Sequence, residues 1–131
     1  AKAMEIAFSK MPLHHEHILK LKKHMILRLN DLIPEITFNG LSNDNSKSLY
    51  TVLSVSIPKF KNSDLLLFNL DLFGIACSGG SACSSGSSKL SHVISEISTK
   101  EENIVVRFSF SKYNTTEEID YVVDKLKYLV G

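Results

Sequence analysis

The apolar positions of the chain fall into segments of two different periods. Ile18, Leu21, Met25, Leu29 and Leu32 recur at steps of three and four, so from Ala1 to about Ile33 they share one helix face. Pro12 interrupts this run. It either kinks one long helix or stands in the first turn of a second, with Ser9 near the cap; Pro34 then stops the pattern. Glu35 to Asn39 predicts a short strand with Ile36 and Phe38 on one side, followed by a polar loop over 40–47. From Leu49 to Ile57 the period drops to two. Leu49, Thr51, Leu53, Val55 and Ile57 share one face, and Tyr50, Val52, Ser54 and Ser56 the other, which predicts a strand closed by Pro58.

Asn62 or Ser63 can cap a helix through Phe73 that packs Leu66, Leu67 and Leu70 inward, with Gly74 as its stop. Ile75 to Cys77 predicts a brief strand. The following stretch, Ser78 to Ser91, holds too much Ser and Gly for a packed element, and Leu90 to about Ile97 can form a short helix. Ile104 to Phe110 predicts a strand. Thr115, three residues before Glu118, has the spacing of a capping box for a last helix, whose stripe is Ile119, Val122, Val123, Leu126 and Leu129. Helices and short strands are mixed, and some crossovers are too short for a parallel repeat. The expected fold is therefore α+β, a small, mainly antiparallel sheet covered by helices.

Length and charge narrow the function classes. The 131 residues suit one domain able to bury a core without staples. A formal charge of +1 leaves no footprint for nucleic acid, and Lys20, Lys22 and Lys23 read as a solvated helix face. No run of eighteen apolar residues spans a membrane. Two cysteines make no disulfide framework, which favours a reducing, cytosolic setting. The start Ala1-Lys2-Ala3-Met4 lacks a signal-peptide layout and begins in mid-helix, as in a piece of a longer chain.

Two features carry chemistry. Cys83 lies in the middle of Ser78-Gly79-Gly80-Ser81-Ala82-Cys83-Ser84-Ser85-Gly86-Ser87, a wet, conformationally free segment that would leave a thiol accessible. The same segment also reads as a plain surface loop with an incidental cysteine. Arg107 lies within the apolar run Ile104-Val105-Val106-Arg107-Phe108-Ser109-Phe110, where an unpaired buried charge is costly. It can point to solvent, pair with a structural acid, or offer its fork to a substrate carboxylate.

The run Gly74-Ile75-Ala76-Cys77-Ser78-Gly79-Gly80-Ser81-Ala82-Cys83 resembles the active-site segment of cysteine desulfurases of the class V aminotransferase superfamily. Ser91-His92-Val93-Ile94, Arg107-Phe108-Ser109 and Asn114-Thr115-Thr116-Glu117-Glu118-Ile119-Asp120-Tyr121 match further family motifs in order. There are departures: Gly79 stands where the family has Ser, which is expected to loosen the loop, and Ser88-Lys89-Leu90 replaces a usual Leu-Glu-Pro. The long gap from Cys83 to Arg107 is similar to that of the subgroup with an extended cysteine loop, linked to iron–sulfur assembly.

The resemblance implies that residues 1–131 are a C-terminal small domain like that of fold-type I pyridoxal-phosphate enzymes, the large domain being absent from the sequence. It implies that Cys83 is the catalytic nucleophile and persulfide carrier and that Arg107 binds the carboxylate of L-cysteine, leaving L-alanine. His92 is a supporting candidate for tuning the thiolate. Pyridoxal phosphate is implied for the full-length enzyme. Its attachment lysine is not in this chain, since no His-Lys dipeptide occurs and Lys23-His24 is the reverse order. A sulfur-acceptor or iron–sulfur scaffold protein, a homodimer and a cytoplasmic location are implied as well. Other readings are a cofactor-independent sulfurtransferase, a non-catalytic interaction domain, and another class V member such as a selenocysteine lyase. Cys77 reads as a small buried strand residue rather than a resolving thiol. His14, His15, His17 and His24 read as solvated helix residues rather than metal ligands.

Overall fold

The computed structural model describes residues 1–79 and 103–131. One helix, α1, runs unbroken from Lys2 to Leu32 and carries Pro12 within it, so the proline starts no second helix. Ile18, Leu21, Met25 and Leu29 form its buried stripe, and Leu32 is only partly covered. Two strands follow, β1 over Thr37–Phe38 and β2 over Val52–Ile57, joined by a looped segment. A 3₁₀ turn, Ser63–Leu65, leads into helix α2, Leu66–Leu72. Strand β3 spans Ile104–Ser109, and helix α3 spans Thr116–Val130.

The strands form one antiparallel sheet in the order β1-β2-β3. Register follows from alternation. Opposite residues of an antiparallel pair share a face, so Leu53 with Phe108, Val55 with Val106, and Ile57 with Ile104 make one apolar surface. Leu53, Val55, Ile57 and Val106 are fully buried beneath α1 and α3. Each such side chain contributes roughly 1.5–3 kcal/mol of burial. The reverse face carries Thr37, Ser54, Ser56, Arg107 and Ser109. The expected α+β architecture, a small antiparallel sheet covered by helices, is the one observed.

Helix ends show where local chemistry decides. Thr115 Oγ1 accepts from the Glu118 N–H at 3.3 Å, and a Glu118 carboxylate oxygen accepts from the Thr115 N–H at 3.2 Å, completing the capping box. Thr115→Ala is expected to lower the unfolding free energy by ~1 kcal/mol, measured by urea titration. At the end of α2, Gly74 takes φ +74°. Its N–H bonds to the Asp71 carbonyl and that of Ile75 to the Leu70 carbonyl, a Schellman closure. The start of that region departs from expectation. Asn62 is left-handed (φ 64°) with no side-chain cap bond, and the chain enters through the 3₁₀ turn.

Two further expectations are corrected. β2 begins at Val52 rather than Leu49, whose side chain is exposed. Lys22 is not on a solvated face; it is fully buried, its Nζ donating to Ser48 Oγ at 2.9 Å and the Leu49 carbonyl at 2.8 Å. The segment before β2 folds over this side chain and supplies both acceptors, so the amine exchanges water for protein oxygens. Burial pushes its pKa below the usual 10.5. A base with a lowered folded pKa binds fewer protons folded than unfolded, so stability rises with pH from the folded pKa up to the unfolded one. Lys22→Ala is expected to cost ~2–4 kcal/mol at neutral pH. Its deficit against the unsubstituted chain should widen as pH approaches the unfolded lysine value, read from denaturation midpoints.

Helices α1 and α3 are also tied by polar contacts. His24 Nε2 donates to Asp120 Oδ1 at 2.8 Å, and Arg28 reaches the same carboxylate at 3.2 Å. His17 Nε2 donates to the Asn114 carbonyl at 2.9 Å, which places a proton on that nitrogen. His15 packs edge-on against Tyr50. Among the described residues no three side chains of His, Cys, Asp or Glu converge on a metal position.

Candidate functional site

Arg107 sits in the middle of β3 on the reverse face of the sheet, half-buried, directly opposite Ser54 of β2. Among the described residues no carboxylate lies within ion-pair distance of its guanidinium. Its backbone is the anchor of a second element. The Arg107 N–H donates to the Ser78 carbonyl at 2.6 Å, and the Ser78 N–H donates to the Arg107 carbonyl at 3.2 Å. This antiparallel bridge extends one row across the sheet, from Ser78 through Arg107 and Ser54 to Asn39, whose N–H donates to the Ser54 carbonyl at 3.0 Å.

The bridge is the only ladder contact between this stretch and the sheet among the described residues, so Ile75–Cys77 forms no strand. Ile75 instead follows the α2 stop into the core, where it is buried. Cys77 is half-buried against the same core, and burial, helped by the Asp71 charge, pushes its thiol up to about 11. At neutral pH such a thiol is almost wholly protonated and a poor nucleophile.

Gly79 packs against α2 and β3, while the loop that it is expected to loosen lies outside the described residues. A Cβ there would lie 2.6 Å from Leu67 Cδ1 and 3.3 Å from the Val105 carbonyl oxygen. Leu67, on α2, fills the space a side chain would need, and the backbone lies tightly against β3. Ser78 and Gly79 therefore leave the sheet from β3, with Ser78 bridged to Arg107. Cys83 and His92, and the helix expected over Leu90–Ile97, lie outside the described residues.

Below the sheet, a cleft of about 440 Å³ opens between α1, the 74–76 turn and α3, with Met25, Phe108, Asn114 and Glu118 in its wall. Arg107 does not line it; its side chain projects from the other face. The polar row beside Arg107 was only half legible beforehand. Alternation puts Ser54 and Ser56 together, but Asn39 joins them only through the β1–β2 register. No helix is long and apolar enough to cross a membrane among the described residues.

Known proteins are similar to this chain in sequence and fold. The family model described as aminotransferase class-V matches residues 2–122. The chain is 36% identical over 131 residues to "Cysteine desulfurase IscS" of Clostridium botulinum, covering 98% of this chain and 32% of that protein. It is 31% identical over 125 residues to human "Cysteine desulfurase", covering 94% and 26%. A solved "NifS-like protein" superposes with a TM-score of 0.73 at 28% identity, covering 98% of this chain and 31% of that one. The chain thus spans about a third of the length of the curated relatives it matches. With the matched residues running through every described element up to α3, the chain belongs to the aminotransferase class-V family.

Proposed function

We propose that residues 1–131 form the C-terminal small domain of a cysteine desulfurase, in which Cys83 takes sulfur from L-cysteine as a persulfide and L-alanine is left. One observation supports this above all: the two-bond bridge from Ser78 to Arg107 roots the thiol-bearing segment on the strand that carries the guanidinium. Cys83 is the fifth residue after Ser78. A chain extends at most ~3.6 Å per residue, so Cys83 is tethered within about 18 Å of that root. Such a tether lets one sulfur meet a substrate held at Arg107 and later meet an acceptor outside.

Arg107 binds the substrate carboxylate through its planar fork, which offers two parallel donors. Cys83 is the nucleophile, and His92 favours its thiolate. The persulfide sulfur then passes to a thiol of an acceptor protein serving iron–sulfur cluster or thio-cofactor assembly. The complete enzyme is a cytoplasmic homodimer that uses pyridoxal phosphate. Among the described residues of this chain, no buried lysine is free to hold that cofactor. Lys22 is their one buried lysine, and its amine is held by Ser48 and the Leu49 carbonyl. In this reading the cofactor's lysine and phosphate cradle lie in the complete enzyme outside residues 1–131.

The test compares the 131-residue chain with the complete enzyme. Mixed with pyridoxal phosphate and L-cysteine, the chain alone is expected to give neither an imine absorbance band nor alanine, whereas the complete enzyme gives both. Alanine release by the isolated chain, or none by the complete enzyme, contradicts the reading.

A further inference from the structure

The reverse face of the sheet carries a hydrogen-bond chain that ends beside Arg107. Ser56 Oγ donates to Asn39 Oδ1 at 2.7 Å, and Asn39 Nδ2 donates to Ser54 Oγ at 3.1 Å. The lengths agree with this direction, since 2.7 Å suits O–H···O and 3.1 Å suits N–H···O. Ser54 is thus an acceptor toward Asn39, and its own proton remains to be donated elsewhere. Among the described residues no acceptor for that proton is recorded.

The far end of the chain is locked and the near end is open. Ser56 is fully buried, while Ser54 is half-buried. The Ser54 backbone is held as well, its carbonyl accepting from Ser42 Oγ at 2.7 Å and from the Asn39 N–H at 3.0 Å. Ser54 and Arg107 are direct cross-strand partners, so their side chains leave the same face with Cβ atoms roughly 5 Å apart.

We propose that Ser54 is a second carboxylate anchor: its hydroxyl donates to the same carboxylate that Arg107 holds, with Asn39 and Ser56 orienting the proton. The inference rests on the proposed binding of an amino-acid carboxylate at Arg107. A carboxylate has about four lone-pair sites, of which a guanidinium fork fills two, so a third donor is accommodated. A neutral hydroxyl adds that bond without adding charge. The pairing of one guanidinium with one carboxylate stays balanced.

The test is a calorimetric titration of the complete enzyme with L-alanine, the amino-acid product that carries the same carboxylate. Ser54→Ala is expected to weaken binding by about ten- to a hundredfold, the loss of one hydrogen bond to a charged group. Ser54→Thr, which keeps the hydroxyl, should bind within about twofold of the unsubstituted enzyme. Asn39→Ala leaves the hydroxyl but removes its orienting donor, so a smaller loss is expected. Arg107→Gln should remove binding. Unchanged affinity in Ser54→Ala together with lost affinity in Arg107→Gln overturns the Ser54 anchor and leaves the Arg107 reading standing. A complete enzyme that gives no saturable binding of L-alanine, or an Arg107→Gln variant that still binds, overturns the Arg107 reading and the Ser54 anchor with it.

Discussion

Replacing Cys83 by serine in the complete enzyme is expected to reduce alanine formation from L-cysteine by ~10³-fold or more. The substitution is nearly isosteric, so folding and substrate binding should survive. What is lost is the nucleophile: a hydroxyl is far less acidic than a thiol and cannot hold sulfur as a persulfide. Cys77 is the internal control. Its thiol is half-buried against the core and held near 11, so it has little thiolate to offer. Cys77→Ser is expected to leave the rate within about twofold and to show only a modest change in stability. Equal losses in both variants would mean that neither thiol is the specific sulfur carrier.

Arg107→Lys should raise KM for L-cysteine about ten- to a hundredfold, with a smaller change in kcat. Lysine keeps the charge but not the planar fork, so one of two charge-assisted bonds is lost. The fold should be indifferent, because the contacts that place Arg107 are backbone ones, to Ser78 on one side and within the β2–β3 ladder on the other. Arg107→Gln removes the charge too, and a larger rise is expected. A kcat that falls while KM holds would instead place Arg107 in the chemical step.

Much of the fold could be read from local pattern. Leu53, Val55 and Ile57 alternate because one face of β2 is buried, and Met25 and Leu29 repeat at helical spacing because α1 lies on that face. The capping box of α3 was legible because both partners lie within one turn. What escaped depends on contacts between distant segments. Lys22 looks like surface until the stretch before β2 closes over it. Ile75–Cys77 has strand-forming composition, yet only Ser78 reaches a partner strand. Gly79 lies close to Leu67 and the Val105 carbonyl, a proximity set by distant segments and not by local pattern.

The site divides in the same way. Arg107 stood out as a charge inside an apolar run, and Cys83 as a thiol within a Ser/Gly stretch. Their relation did not, because the Ser78–Arg107 bridge joins positions far apart in sequence. The row Ser78, Arg107, Ser54, Asn39 exists only once three registers are set. Sequence period identifies which residues share a face of one strand; it does not say which residue of the next strand stands opposite.

A single turnover in the absence of reductant is the most direct test that a thiol rooted beside Arg107 carries the sulfur. The complete enzyme is mixed with limiting L-cysteine, quenched with a thiol-capping reagent, and the alanine released is compared with the sulfur bound to each cysteine-containing peptide. The account predicts equal amounts of alanine and of one added sulfur on the Cys83 peptide, with the Cys77 side chain unmodified. Alanine released while Cys83 stays unmodified would contradict it.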